Sequence, residues 1–222
     1  MTDTVITVRG EFTAWYPAER ATVVASIQVD GAARDSVFSR ATAAADEVRA
    51  SIQALHNPSA GPVTWWSSDS VRVWSERPWN HEGKQLDLVY SAAIGYRVKF
   101  RDFDALALWV EQVSAVEGGT VSSVSWDLTD ATRNAAITEV RSRSVKDAVT
   151  KASVFAQSIG LGSVTAVALA DPGMLGDQGS APAPEADFRM MKVGAADSGG
   201  ALQLKPEEIE VASLVDARFV AR

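Results

Sequence analysis

The run LDLVYSAAIGYRVKF, from Leu86 to Phe100, constrains this chain more than any other segment. Leu88, Tyr90, Ala92, Ile94, Tyr96, Val98 and Phe100 occupy alternate positions without a break. Side chains of a strand point alternately to opposite faces, so a period of two describes a long strand with one apolar face. Such a face needs neighbouring strands and a covering layer. Ala21–Val29 repeats the pattern, with Val23, Ala25, Ile27 and Val29 opposed to Thr22, Ser26 and Gln28. Thr4–Gly10 and Phe12–Trp15 read as short strands flanking Gly10.

The covering layer is written in a different period. In Asp35–Leu55, the residues Val37, Ala41, Ala44, Val48, Ile52 and Leu55 recur at helical spacing, and His56–Pro62 ends the run. A second helix spans Phe103–Val116, capped by Asp102 or Asp104, with Leu106, Trp109, Val110 and Val113 inward. After a strand at Thr120–Leu128, Asp130 is placed to cap a long helix over Ala131–Ile159 that stops at Gly160. Its inner side reads as Ile137, Val145, Ala148, Val149, Ala152, Phe155 and Ile159, with Glu139–Arg143 and Asp147–Lys151 as ion pairs on the wet side. Ser163–Ala170 and Glu207–Val220 are strands. Residues 171–206 are rich in Gly, Pro and Ala without sustained period, and read as a flexible insertion. The expected class is α+β, antiparallel or mixed sheets covered by helices, in the order β-β-α-β-β-α-β-α-β-β.

One segment asks for a function. Val63–Gly83 holds four of the seven tryptophans, Trp65, Trp66, Trp74 and Trp79, interleaved with Arg72 and Arg77. It precedes the alternating strand, and Asn80–Lys84 forms the polar turn between them, so the two runs read as antiparallel partners. Simple alternation puts Trp66 and Trp74 on one face and Trp65 on the other, unless a bulge intervenes near Ser67–Ser70. Two readings stand side by side. The tryptophans fill a core and a subunit contact, as indoles do where one side is buried. Alternatively, Trp65, Trp66 and Trp74 form a stacking platform for a small molecule or glycan, with the arginines adding cation–π contacts.

Composition narrows the field. Net charge is −7, which argues against a nucleic-acid partner. There is no cysteine, and the two histidines, His56 and His81, are too few for a metal site. Neither histidine lies near a strained strand–Ser–helix turn that would carry nucleophilic catalysis. Gly160–Thr165 (GLGSVT) follows a helix and precedes a strand, the reverse of a phosphate-binding loop. Acidic pairs such as Asp46/Glu47, Asp102/Asp104 and Glu207/Glu208 are ordinary solvated faces or caps. The N-terminus lacks a basic start with an apolar core, and no run is long enough to span a bilayer, so the expected location is cytoplasmic.

Several stretches together resemble the SIMPL family: ITVRGEFTAWYPAERATVVASIQV, YSAAIGYRVKFRDFDALALWVEQV, AITEVRSRSVKDAVTKASVFAQSIGLGSVTAV and LKPEEIEVASLVDARFV. The resemblance implies a single α+β domain over residues 1–222 and no established enzymatic activity. It also implies homo-oligomers, some of them ring- or channel-like, and in some members export to the envelope, links to oxidative stress or association with a signalling kinase. This chain differs in its tryptophan-rich hairpin. The expectation is therefore a non-enzymatic homo-oligomeric interaction protein with no cofactor. Its partners are copies of itself or another protein, and its contact surface is Trp65, Trp66, Arg72, Trp74, Arg77 and Trp79 together with open strand edges.

Overall fold

The computed structural model describes residues 3–176 and 204–222. Its elements are β1 (Thr4–Pro17), β2 (Arg20–Gly31), α1 (Arg34–Leu55), β3 (Val63–Ser68), β4 (Arg72–Glu76), β5 (Val89–Phe100), α2 (Phe103–Ala115), β6 (Gly119–Asp127), α3 (Asp130–Ser158), β7 (Val164–Ala170) and β8 (Glu208–Ala221). The class is α+β, with two antiparallel sheets and three helices. The order carries one strand more than the sequence suggests, because the tryptophan segment breaks into β3 and β4 at residues 69–71. Most of the Gly/Pro/Ala insertion expected at 171–206 lies outside the described residues.

The chain divides into two compact units, one holding β2 to β6 with α1 and α2, the other β1, α3, β7 and β8. In the larger, the strand order is β3-β5-β2-β6, with β4 also paired to β5. The alternation read in Leu86–Phe100 and Ala21–Val29 becomes a single covered face. Val23, Val98 and Phe100 are fully buried, and Ile94 and Tyr96 nearly so. Each such side chain contributes about 1.5–3 kcal/mol on leaving water. Val37, Ala41, Val48 and Ile52 of α1, with Leu106, Trp109 and Val113 of α2, complete that core. Its two polar atoms are satisfied: the Tyr96 hydroxyl donates to the Ala45 carbonyl at 2.9 Å, and the Trp109 indole N–H donates to Ser51 Oγ at 3.0 Å. Asp102 caps α2 by accepting from the Ala105 amide at 3.0 Å.

In the smaller unit β1 and β8 pair along their whole lengths, Thr4 opposite Ala221 through Pro17 opposite Glu208, and β7 joins β8 on its other side. Gly10 does not interrupt β1. A side chain there would collide with the backbone of α3, so this glycine marks a close approach. The cap of α3 lies one residue earlier than expected. Thr129 Oγ1 accepts from the Thr132 amide, and Asp130 is the first helical residue. The helix closes before Gly160, whose φ of 77° suits only glycine without strain.

The face that α3 buries also differs. Ala136, Val140, Ser144, Ala148, Ala152 and Ala156 are buried, whereas Val149, Phe155 and Ile159 are exposed. Ile137 and Val145 pack at the margins. Small residues every fourth position form a ridge that lets the helix sit on the sheet at Gly10, where larger side chains have no room.

Candidate functional site

The tryptophan arm sits at the edge of the five-stranded sheet, with β3 and β4 laid end to end along β5. Two extra residues set the direction of every side chain on it. The first is Thr64. Val63 stands opposite Phe100 and Trp65 opposite Lys99, so Thr64 is unpaired and its hydroxyl donates to the Lys99 carbonyl. The bulge sends Trp66 to the helix-covered face, opposite Val98 and against the core, and Trp65 to the open face, where it is 48% exposed.

The second irregularity spans residues 69–71. The Asp69 amide donates to the Gly95 carbonyl, yet Arg72 already stands opposite Ala93, so one residue is again in excess. Trp74 therefore lies opposite Ser91 on the face away from the helices, where Trp74 is half-buried and Ser91 buried. The expectation that Trp66 and Trp74 share a face fails for this reason, since each added residue inverts the alternation. The Arg72 guanidinium lies over the Trp74 ring, 4.7 Å from its centroid. Trp65 and Trp74 share a face but not a pocket. Their partners Lys99 and Ser91 are eight residues apart on β5, which is roughly 27 Å at strand rise.

Past β4 the chain forms a built turn. The Asn80 carboxamide oxygen accepts from the Glu82 and Lys84 amides at 3.0 and 2.8 Å, and the Leu86 amide donates to the Pro78 carbonyl at 2.8 Å. A single bridge joins Trp79 to Gln85. This turn holds Trp79 at 66% exposure, with Arg77 and Leu86 also exposed beside it. His81 is exposed at the same tip, while His56 closes α1 far along the sequence. Among the described residues no group of three His, Cys, Asp or Glu could hold a metal, and no helix is long and apolar enough to cross a membrane.

Sequence reasoning missed Arg97 and Lys99. They are the polar alternates of the β5 pattern and stand opposite Ser67 and Trp65 on the open face. The alternation contained that signal, but placing them beside Trp65 requires the bulge at Thr64.

The displaced carboxyl titrations lie elsewhere, in ion pairs. Arg9 holds the Asp216 carboxyl below its ordinary value, helped by the Gly173 amide. Lys151 and the Glu11 amide do the same for Asp147, and Arg40 for Glu117. Each is a carboxylate stabilised in its charged form by a cation or an N–H donor.

No curated protein matches this chain significantly. The model of the SIMPL family, described as a protein of unknown function (DUF541), matches residues 6–219 and so runs through both compact units, from the third residue of β1 to near the end of β8; the chain belongs to the SIMPL family.

Proposed function

We propose that this chain is a non-enzymatic, self-associating structural and interaction module, with the tryptophan arm as a contact surface. One observation carries the reading. Among the described residues, the unit that holds the arm exposes six large hydrophobic residues, and four of them, Trp65, Val71, Trp79 and Leu86, lie on the arm or the turn that ends it; Phe38 and Leu108 are the others. Exposed indoles held on an ordered edge are what an interface buries. The ion-paired carboxyls fit a reading without acid–base chemistry, since none has the raised value of a general acid.

The test is sedimentation velocity at micromolar concentration. The parent should assemble, and Trp79→Ala should weaken assembly by a factor of 30 or more, corresponding to about 2 kcal/mol for a central indole. Its thermal stability should be unchanged, because the ring contributes little to the fold. A parent that remains monomeric, or a Trp79→Ala variant that assembles normally, refutes the arm as the interface.

The alternative reading is a small-molecule or glycan site built from Trp65, Trp66 and Trp74. It needs rings that converge, but Trp66 faces the core and the other two are separated by most of β5. Saturable quenching of tryptophan fluorescence by a panel of sugars would revive it.

A further inference from the structure

The open face of the five-stranded sheet carries a second feature, distinct from the tip of the arm. Along it lie Trp65 opposite Lys99, Ser67 opposite Arg97, Asp69 beside Gly95, Arg72 opposite Ala93, and Trp74 opposite Ser91. The helices α1 and α2 pack on the other face. Arg9, Arg40, Arg49, Arg143, Lys151 and Arg222 each have a carboxylate partner. Among the described residues Arg72, Arg97 and Lys99 have none within ion-pair distance, although the chain carries a net charge of −7. Acids outnumber bases in the chain, yet Arg97 and Lys99 lie together at the Trp65 end of this strip with Arg72 further along it, beside two part-exposed indoles.

We propose that this strip docks an extended, acidic segment of another polypeptide. Charge complementarity selects the sign. The carboxylates on the strip, Asp69 in the middle with Glu76 and Asp30 toward the Trp74 end, leave the Trp65 end the more basic. The acidic residues of the partner therefore sit over Arg97 and Lys99, and its apolar residues over Trp65. Length selects the shape, because a line of contacts roughly 27 Å long suits about eight residues of extended chain. The edge selects a polypeptide. Among the described residues the outer side of β4 pairs with no strand, so a peptide gains backbone hydrogen bonds there that a sugar or nucleotide chain lacks. Self-association is not required for this, and the proposal stands or falls separately from it.

The probe is a short fluorescein-labelled peptide of alternating Glu and Val, titrated with the full chain and followed by anisotropy at low salt. Saturable binding is expected. It should weaken about three- to tenfold in Arg97→Gln/Lys99→Gln, in line with one exposed and one half-buried charge contact, and also as salt is raised. Arg97→Gln alone, at an exposed position, should give part of that loss and guards against misfolding of the double variant. The matched Gln–Val peptide should bind at least as weakly as the double variant binds the acidic one. Absence of saturable binding overturns the proposal, as does equal affinity for the Gln–Val peptide or an unaffected double variant. Tighter binding of heparin or a thymidine oligonucleotide than of the peptide, lost in the double variant, would assign the strip to a different polyanion. Sedimentation of the double variant separates this from assembly. If its oligomeric state changes, the strip is covered by a second copy and the proposal fails.

Discussion

Gly10→Ala should destabilise the protein although it adds one methyl group to a strand. Gly10 lies in β1 opposite Val215, and its φ is not positive. On backbone grounds alone alanine would therefore help, by about 0.4–1 kcal/mol through the unfolded chain. Space decides the other way. The new Cβ would strike the Ser144 carbonyl oxygen and lie 2.8 Å from both the amide nitrogen and Cβ of Ala148. Comfortable carbon contacts are about 3.5–4.0 Å, so α3 must retreat by about 1 Å. Retreat lifts Ala148, Ala152 and Ala156, all fully buried, off the sheet. It also strains two links that bracket the contact: the Glu11 amide donating to Asp147 at 2.9 Å, and Lys151 Nζ donating to the Arg9 carbonyl at 3.1 Å. Overpacking of this kind costs about 1–3 kcal/mol, and a clash with helix backbone belongs at the upper end of that range, leaving after the backbone gain a net loss near 2 kcal/mol. At about 2–4 °C per kcal/mol for a chain of this size, the midpoint should fall by about 4–8 °C. Circular dichroism with thermal and urea unfolding measures it, and a biphasic transition should show the loss in the phase of the unit that holds β1. Gly160→Ala is the contrast, since its Cβ would meet nothing within 4 Å and the cost, about 1 kcal/mol, comes from φ alone. A Gly10→Ala variant as stable as the parent would mean that the helix yields freely and that the alanine ridge does not set its distance.

Trp109→Phe removes the indole donor to Ser51 and part of a fully packed ring, so urea unfolding should show a loss of about 1–3 kcal/mol. Tyr96→Phe at a nearly buried position should cost about 1 kcal/mol, the worth of its bond to the Ala45 carbonyl. Asp216 has a pKa lowered by Arg9, so its contribution is present above the ordinary carboxylate value, about 3.9, and is lost as pH falls through the depressed one. Asp216→Asn should therefore be less stable than the parent at neutral pH, with the difference closing below about pH 4 in acid titrations followed by fluorescence. A constant difference down to pH 2 would exclude that linkage.

The helices and the two long core strands were legible because their signals are local and repeated. Seven alternate apolar residues in Leu86–Phe100 leave one arrangement for a half-buried strand; β5 begins only at Val89, so Leu88 precedes it, and the other six form the face they specify. The caps at Asp102 and the stop at Gly160 rest on single residues whose chemistry acts within one turn. The buried side of α3 was not legible in the same way. Ala148 and Ala152 read as inner residues and are, but hydrophobicity ranks Val149, Phe155 and Ile159 beside them, whereas the narrow gap at Gly10 selects by size and admits Ala148, Ala152 and Ala156. Gly10 itself looked like a break in a strand, because the helix that needs its missing side chain arrives more than a hundred residues later in the sequence.

The tryptophan arm shows why a candidate surface is harder to read than a core. Two unpaired positions, Thr64 and one within residues 69–71, decide which indoles meet water. Were Thr64 paired in register like its neighbours, Trp65 would follow Val63 into the core and Trp66 would be outside. Were the second extra residue paired likewise, Trp74 would join Trp66. Neither position carries a glycine or a proline, so nothing local announces it. What enforces them lies on the facing strand. Val63 fits under Phe100 and Trp66 under Val98, and the chain accommodates both only by spending a residue between them. The same accommodation turns Trp65 toward Lys99 and Arg97, so the cationic strip is a by-product of core packing. Deleting Thr64 tests this coupling in one step. Without it Val63 runs straight into Trp65, and the core contacts of Val63 under Phe100 and Trp66 under Val98 should hold the register, with Trp65 still opposite Lys99. Acidic-peptide binding and the tip around Trp79 should therefore persist, and stability should fall by no more than about 1 kcal/mol for the lost Thr64–Lys99 bond. Loss of peptide binding in a folded deletion variant would show that the facing strand does not set the direction of Trp65.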